Sequence, residues 1–156
     1  MKKILIALDY DPSAQKIAET GYALAKSMNA QVILLHITSD AAYYSLPNYS
    51  PIMGFNSFNN LDIIQTDIIE VLKKAAQEYL DKSKQHLGDE SIQTIVKDGD
   101  FGQSILDTAT EMNVDVIVMG THSRHGLDKI LMGSVAEKVL HKSSIPLFII
   151  PTKDYE

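Results

Sequence analysis

VDVIVMGTHSRHGLDKILMGSVAEKVL, residues 114–140, runs as a strand-like apolar stretch to Gly120, passes through a segment carrying Arg124, Gly126, His122 and His125, and restarts as a helical pattern at Gly133-Ser134. A short apolar run that ends in glycine and is soon followed by a helix is the repeating unit of a parallel sheet. A phosphate group needs backbone N–H groups with little side-chain bulk around them, beside a helix start whose dipole favours negative charge. Gly120, Gly126 and Gly133-Ser134 meet that requirement, and Arg124 adds a forked donor matched to phosphate oxygens. The plainer reading is that Gly120 and Gly126 make tight turns. In it, Ser134 caps its helix through an S-x-x-E box with Glu137.

Outward from this unit the same alternation covers the chain. KILIALD (3–9), QVILLHI (31–37), IQTIVKD (92–98), VDVIVMG (114–120) and PLFIIP (146–151) read as strands. Several are apolar without alternation, as expected when helices cover both faces of a parallel sheet. Between them, Asp11-Pro12 announces a helix with an apolar face of Ala14, Ile17, Ala18, Gly21, Ala25 and Met28. A long helix runs from about Leu61 to Leu87, with Ile64, Ile68, Leu72, Ala75 and Tyr79 on one stripe and Gly88 ending it. A third starts at the Asp100/Gln103 capping pair and buries Ile105, Ala109 and Met112; the fourth buries Val135, Val139 and Leu140. The expectation is one α/β domain over residues 1–156, a doubly wound five-stranded parallel sheet in the order 3-2-1-4-5 with helices on both faces. That order brings Asp9, at the end of the first strand, and Gly120, at the end of the fourth, to one crevice.

Residues 41–60, with two prolines, four asparagines and three tyrosines, have neither helical nor strand period and read as a long surface loop. It is either a neutral insertion or a flap folded over the crevice.

The composition excludes whole classes of function. A chain of 156 residues, 45% hydrophobic, is long enough to bury a real core. Its net charge of −6 argues against nucleic acid, which calls for a basic face. With no cysteine, thiolate metal sites and cysteine nucleophiles are out. Asp9 interrupts the apolar run where a signal peptide would continue, and no run approaches the roughly 18 residues of a membrane span. The expected location is cytoplasmic. The H-x-x-H of His122 and His125 lies in a loop without a third ligand at helical distance, so no metal site is expected. His36 reads as a satisfied core or rim histidine, His86 and His141 as surface residues.

There is no G-x-x-x-x-G-K-[ST] and no G-x-G-x-x-G after a strand, which excludes P-loop and ordinary dinucleotide binders. A receiver domain would need paired carboxylates after the first strand and a lysine after the fifth; Asp9, Asp11 and a C-terminal PTKDYE fit it poorly. The chain instead resembles the universal stress proteins of the UspA-like superfamily over nearly its whole length, through ILIALD, LLHI, VIVMGTHSRHG, GSVAEKVL and IPLFIIP. That resemblance implies a Rossmann-like sheet of the adenine nucleotide alpha hydrolase type. It also implies an ATP-binding signature, G-x2-G-x9-G-[ST], which falls on Gly120, Ser123, Gly133 and Ser134, with serine at the second glycine.

By the same resemblance, adenine and ribose would lie against Ala7, Leu8, Asp9 and Ile37, over a floor formed by Met119, Gly120 and Thr121. The triphosphate, with Mg2+ as a companion, would meet Gly120, Ser123, Arg124, Gly133, Ser134 and Val135. Read without it, Asp9 is a turn carboxylate. No base or nucleophile with a positioned partner is legible, so ATP hydrolysis would be slow at most. The functional expectation is an ATP-binding stress or regulatory switch. The alternative is a dimeric interaction module whose nucleotide site Ser123 has made vestigial. The last strand, Pro146, Leu147, Phe148, Ile149 and Ile150, is expected at a sheet edge with Leu147, Phe148 and Ile149 exposed, and the resemblance implies a homodimer through that edge.

Overall fold

The computed structural model describes residues 1–9, 13–38, 61–121 and 133–152, the side chains of 61–67 excepted. Nine elements alternate: β1 (Lys3–Ala7), α1 (Ala14–Ser27), β2 (Gln31–Thr38), α2 (Leu61–Leu87), β3 (Gln93–Asp98), α3 (Phe101–Glu111), β4 (Val116–Gly120), α4 (Ser134–Lys142) and β5 (Leu147–Ile150). The strands form one five-stranded sheet in the order β3-β2-β1-β4-β5, every neighbouring pair parallel. This is the expected doubly wound order. The chain moves outward from β1 to β3, then returns to the other side of β1, so the crevice opens between β1 and β4. The segment 41–60, Asp11-Pro12 and the histidines 122 and 125 lie outside the described residues.

The continuous apolar runs conceal a period of two. Ile4, Ile6, Leu34 and Val118 face α1 and α2, in a core with Ile17, Ala18 and Leu80. Leu5, Ile33, Leu35, Ile117 and Met119 face α3 and α4, against Ile105, Ala109, Ala136 and Val139. Ile4, Leu5 and Ile6 are all fully buried, because each side of the sheet has its own helical layer.

Local signals place several helix ends. Asp100 caps α3, its carboxylate accepting the Gln103 N–H at 2.9 Å. Gln103 does not reciprocate; its amide donates to Asp107 at 2.8 Å instead. Lys138 donates to the same Asp100 carboxylate at 2.7 Å, and this contact, ahead of the Gln103 N–H, holds the carboxyl below its usual range. Gly88 ends α2 with a positive φ of 70°. Asn29 and Asn113, both at φ 53°, end α1 and α3 in one way: the next residue's N–H reaches back to Ala25 O (2.8 Å) and Ala109 O (3.1 Å), a Schellman closure that turns the chain into β2 and β4.

Four expectations need correction. Helix α1 starts at Ala14 after Ser13, later than the Asp11-Pro12 signal indicates. On α2, among the residues whose side chains are described, Ala76 and Leu80 are fully buried and Ile68, Leu72 and Tyr79 half-buried, while Ala75 is exposed, so the expected stripe fails at Ala75. In α4 the N-cap is Gly133 and Ser134 is the first helical residue, so there is no capping box; Ala136 and Val139 are buried, and Leu140 is 48% exposed. In β5 only Phe148 stands open, at 39% exposure, because Leu147 and Ile149 pack partly against the α3/α4 layer. Among the described residues no helix is long and apolar enough to cross a membrane.

Candidate functional site

The carboxyl ends of β1, β2 and β4 and the starts of α1, α3 and α4 enclose one crevice. From the strands and the residues just past β1 come Ala7, Leu8, Asp9, Leu35, Ile37, Met119 and Gly120; from the helices and the residue before α1 come Ser13, Ala14, Ile17, Phe101, Ile105 and Val135. Seven of the residues expected at a ligand site, Ala7, Leu8, Asp9, Ile37, Met119, Gly120 and Val135, therefore line the same space. Thr121, Gly133 and Ser134 follow directly at its β4–α4 side, whereas Ser123 and Arg124 fall outside the described residues. Sequence reasoning missed Ser13, Ala14, Ile17, Leu35, Phe101 and Ile105. Ile17 and Ile105 were legible as core-facing helix positions, and only the convergence of helix starts turns them into crevice wall.

The crevice is mainly apolar, with polar groups at its rim. Gly120 sits at the end of β4 for a packing reason: a Cβ there would lie 2.7 Å from Ile17 Cδ1 and 2.8 Å from Thr152 Cγ2. Next to it, the Thr121 hydroxyl accepts the Thr152 N–H at 3.0 Å, and the Thr121 N–H donates to Ile150 O at 2.9 Å. The Thr121 carbonyl accepts the Gly133 N–H at 2.6 Å. One threonine thus joins the end of β5 to the start of α4. Since the N-cap residue Gly133 has no side chain, no side-chain oxygen among the described residues caps this helix. Its first turn carries one carboxylate, Glu137, which is exposed and lies 3.8 Å from His141. A helix start left without a side-chain cap is suited to an anion.

At the opposite rim, the backbone past β1 is held by side chains. His36, 2% exposed, contacts Leu8 O through Nδ1 at 2.8 Å, and the Tyr79 hydroxyl donates to Asp9 O at 2.6 Å. Because a carbonyl only accepts, His36 carries its proton on Nδ1. Burial lowers the His36 pKa from the usual histidine range, against the opposing effects of the Leu8 carbonyl and the Asp9 charge. His86 and His141 are surface residues, as expected.

The sequence profile described as "Universal stress protein family" matches residues 1–151. The chain belongs to the universal stress protein family. Among its relatives, universal stress protein MJ0577 of Methanocaldococcus jannaschii is 29% identical, over 98% of this chain and 96% of the relative. Universal stress protein A homolog 2 of Coxiella burnetii is 29% identical, over 97% of this chain and 96% of the relative. The solved structure of MJ0577 superposes with a TM-score of 0.76 at 26% identity, covering 96% of this chain and 95% of the other. A universal stress protein solved in complex with cAMP shares the fold, with a TM-score of 0.61 at 18% identity and 97% of each chain covered.

Proposed function

We propose that this universal stress protein binds an adenine nucleotide, ATP in the first place, in the β1/β4 crevice and acts as a regulatory switch without rapid turnover. The observation that carries this reading is the juxtaposition, in one crevice at the strand-order reversal, of an apolar slot and a helix start whose N-cap is a glycine. A purine ring fits the apolar wall of Ala7, Ile37 and Met119, with Asp9 at hand for the ribose hydroxyls. The phosphates then run toward α4. The Gly133 N–H is engaged by Thr121, so the amides of Ser134 and Val135 are the donors in line, with Ser123 and Arg124 from the preceding segment. Mg2+ would accompany the phosphates. The relative solved with cAMP supports the adenine class of ligand. The setting is cytoplasmic, and the assembly is a homodimer through β5.

The second reading, an interaction module with a vestigial site, draws on two observations. Serine stands at position 123, and packing by itself accounts for glycine at 120. Calorimetry separates the two. Micromolar-range heat with ATP, weaker binding of GTP, and a gain in affinity on Ser123→Gly support the switch; no heat at millimolar ATP supports the module.

A further inference from the structure

Past Ala7 the backbone ladder of β1 gives way to side chains. The Leu8 N–H still donates to Leu35 O at 2.8 Å, but the two carbonyls that follow are taken by His36 and by Tyr79. Tyr79 lies 70 residues from Asp9 in sequence and comes from the far half of α2. Its ring meets His36 edge to face, centroids 5.4 Å apart at 75°. His36 itself is pinned to Leu8 at 2.8 Å, so the imidazole buttresses the phenol while the phenol grips the next peptide. Core packing explains the ring of Tyr79, since a phenylalanine would make the same edge-to-face contact. It does not explain the hydroxyl, whose acceptor is the main chain of the crevice-lining Asp9.

We infer that Tyr79, buttressed by His36, is a positioning residue for the nucleotide crevice: by fixing the peptide that follows Asp9, it holds the Asp9 carboxylate where the ribose hydroxyls of an adenine nucleotide arrive. The inference rests on the adenine-nucleotide reading above. It deepens that reading, because helix α2 then helps set affinity from outside the crevice. The bare alternative is a brace that ties α2 to the sheet and leaves recognition untouched.

The test is calorimetry of the full chain with ATP and with 2′,3′-dideoxy-ATP, which lacks the hydroxyls Asp9 would meet. In Tyr79→Phe, folded by circular dichroism, ATP affinity is expected to fall about fivefold, the size of one ordinary hydrogen bond. Dideoxy-ATP affinity should hardly change, and adding Tyr79→Phe to Asp9→Ala should cause no further loss. A brace alone would weaken both nucleotides equally, and that result, or no change in either, overturns the inference. Should Tyr79→Phe prove too unstable, His36→Asn gives the same ratio, since its amide keeps a donor for Leu8 O but removes the buttressing ring. An unchanged ratio there overturns the inference as well. If the unmodified protein binds neither nucleotide, the adenine reading itself falls and this role with it; binding of ATP with an unaltered ratio in the variants removes the role of Tyr79 alone.

Discussion

The Gly133 N–H donates to the Thr121 carbonyl at 2.6 Å, so the end of β4 and the start of α4 are fastened to each other before any ligand is considered. The Thr121 hydroxyl accepts from the Thr152 N–H just beyond β5, and the floor of the crevice is therefore one hydrogen-bonded unit. A glycine in the N-cap position and a threonine spent on this brace leave the first turn of α4 without a side-chain cap from either of them.

That arrangement separates helix stability from ligand binding. Ser134 is exposed in the first turn, where a carboxylate is favourable to the helix dipole. Ser134→Asp should therefore leave the melting temperature equal or slightly raised while weakening ATP binding by about 1–3 kcal/mol through like-charge repulsion and a lost donor. Calorimetry and a thermal melt on one preparation check both signs. Unchanged affinity would take this helix start out of the site.

Gly120→Ala should destabilise the fold by about 1–3 kcal/mol through overpacking, because its methyl would meet both Ile17 and Thr152. Adding Ile17→Val removes the Cδ1 atom nearest that methyl and should recover part of the loss, a coupling that urea unfolding of the four variants in the cycle would measure.

Burial depresses the pKa of His36, so the unfolded chain takes up its proton first as pH falls. The stability this neutral imidazole contributes is complete above the unfolded value of about 6.5, and it declines as pH drops from there toward the lower folded value. Melting temperatures measured from about pH 8 to pH 5 should fall more steeply for the unmodified protein than for His36→Asn, which has nothing to titrate there. Parallel curves would mean that His36 is not the group responsible.

Phe148 stands 39% exposed on the edge strand β5, beside a row of backbone groups with no strand partner among the described residues on that side. A second copy pairing there would cover both. Light scattering at low micromolar concentration should give about twice the 17.3 kDa of one chain, and Phe148→Lys should return it to a single chain with ATP binding retained. A single-chain mass for the unmodified protein would end the dimer proposal.

Much that depends on neighbours within a few residues was legible in the sequence by itself: five apolar runs as strands, the Asp100 cap, the stop at Gly88, and the buried face of α1, though not the exact starts of α1 and α4. Strand order could be anticipated because short crossovers of one hand leave few arrangements, and the reversal beside β1 located the crevice with Asp9 and Gly120 in it. The tertiary structure decided what depends on contacts between distant segments. Helical period admits either Ala75 or Ala76 on the buried stripe, and the sheet selects Ala76. Leu140 belongs by hydrophobicity in a core, yet it is 48% exposed, at the margin of the face on which α4 buries Ala136 and Val139. Gly120 is small because Ile17 and Thr152 crowd it, and the carbonyls of Leu8 and Asp9 are satisfied from 28 and 70 residues away. No local pattern encodes such pairings, since a hydrogen-bond donor in one element acquires its acceptor only when the packed layers bring the two together.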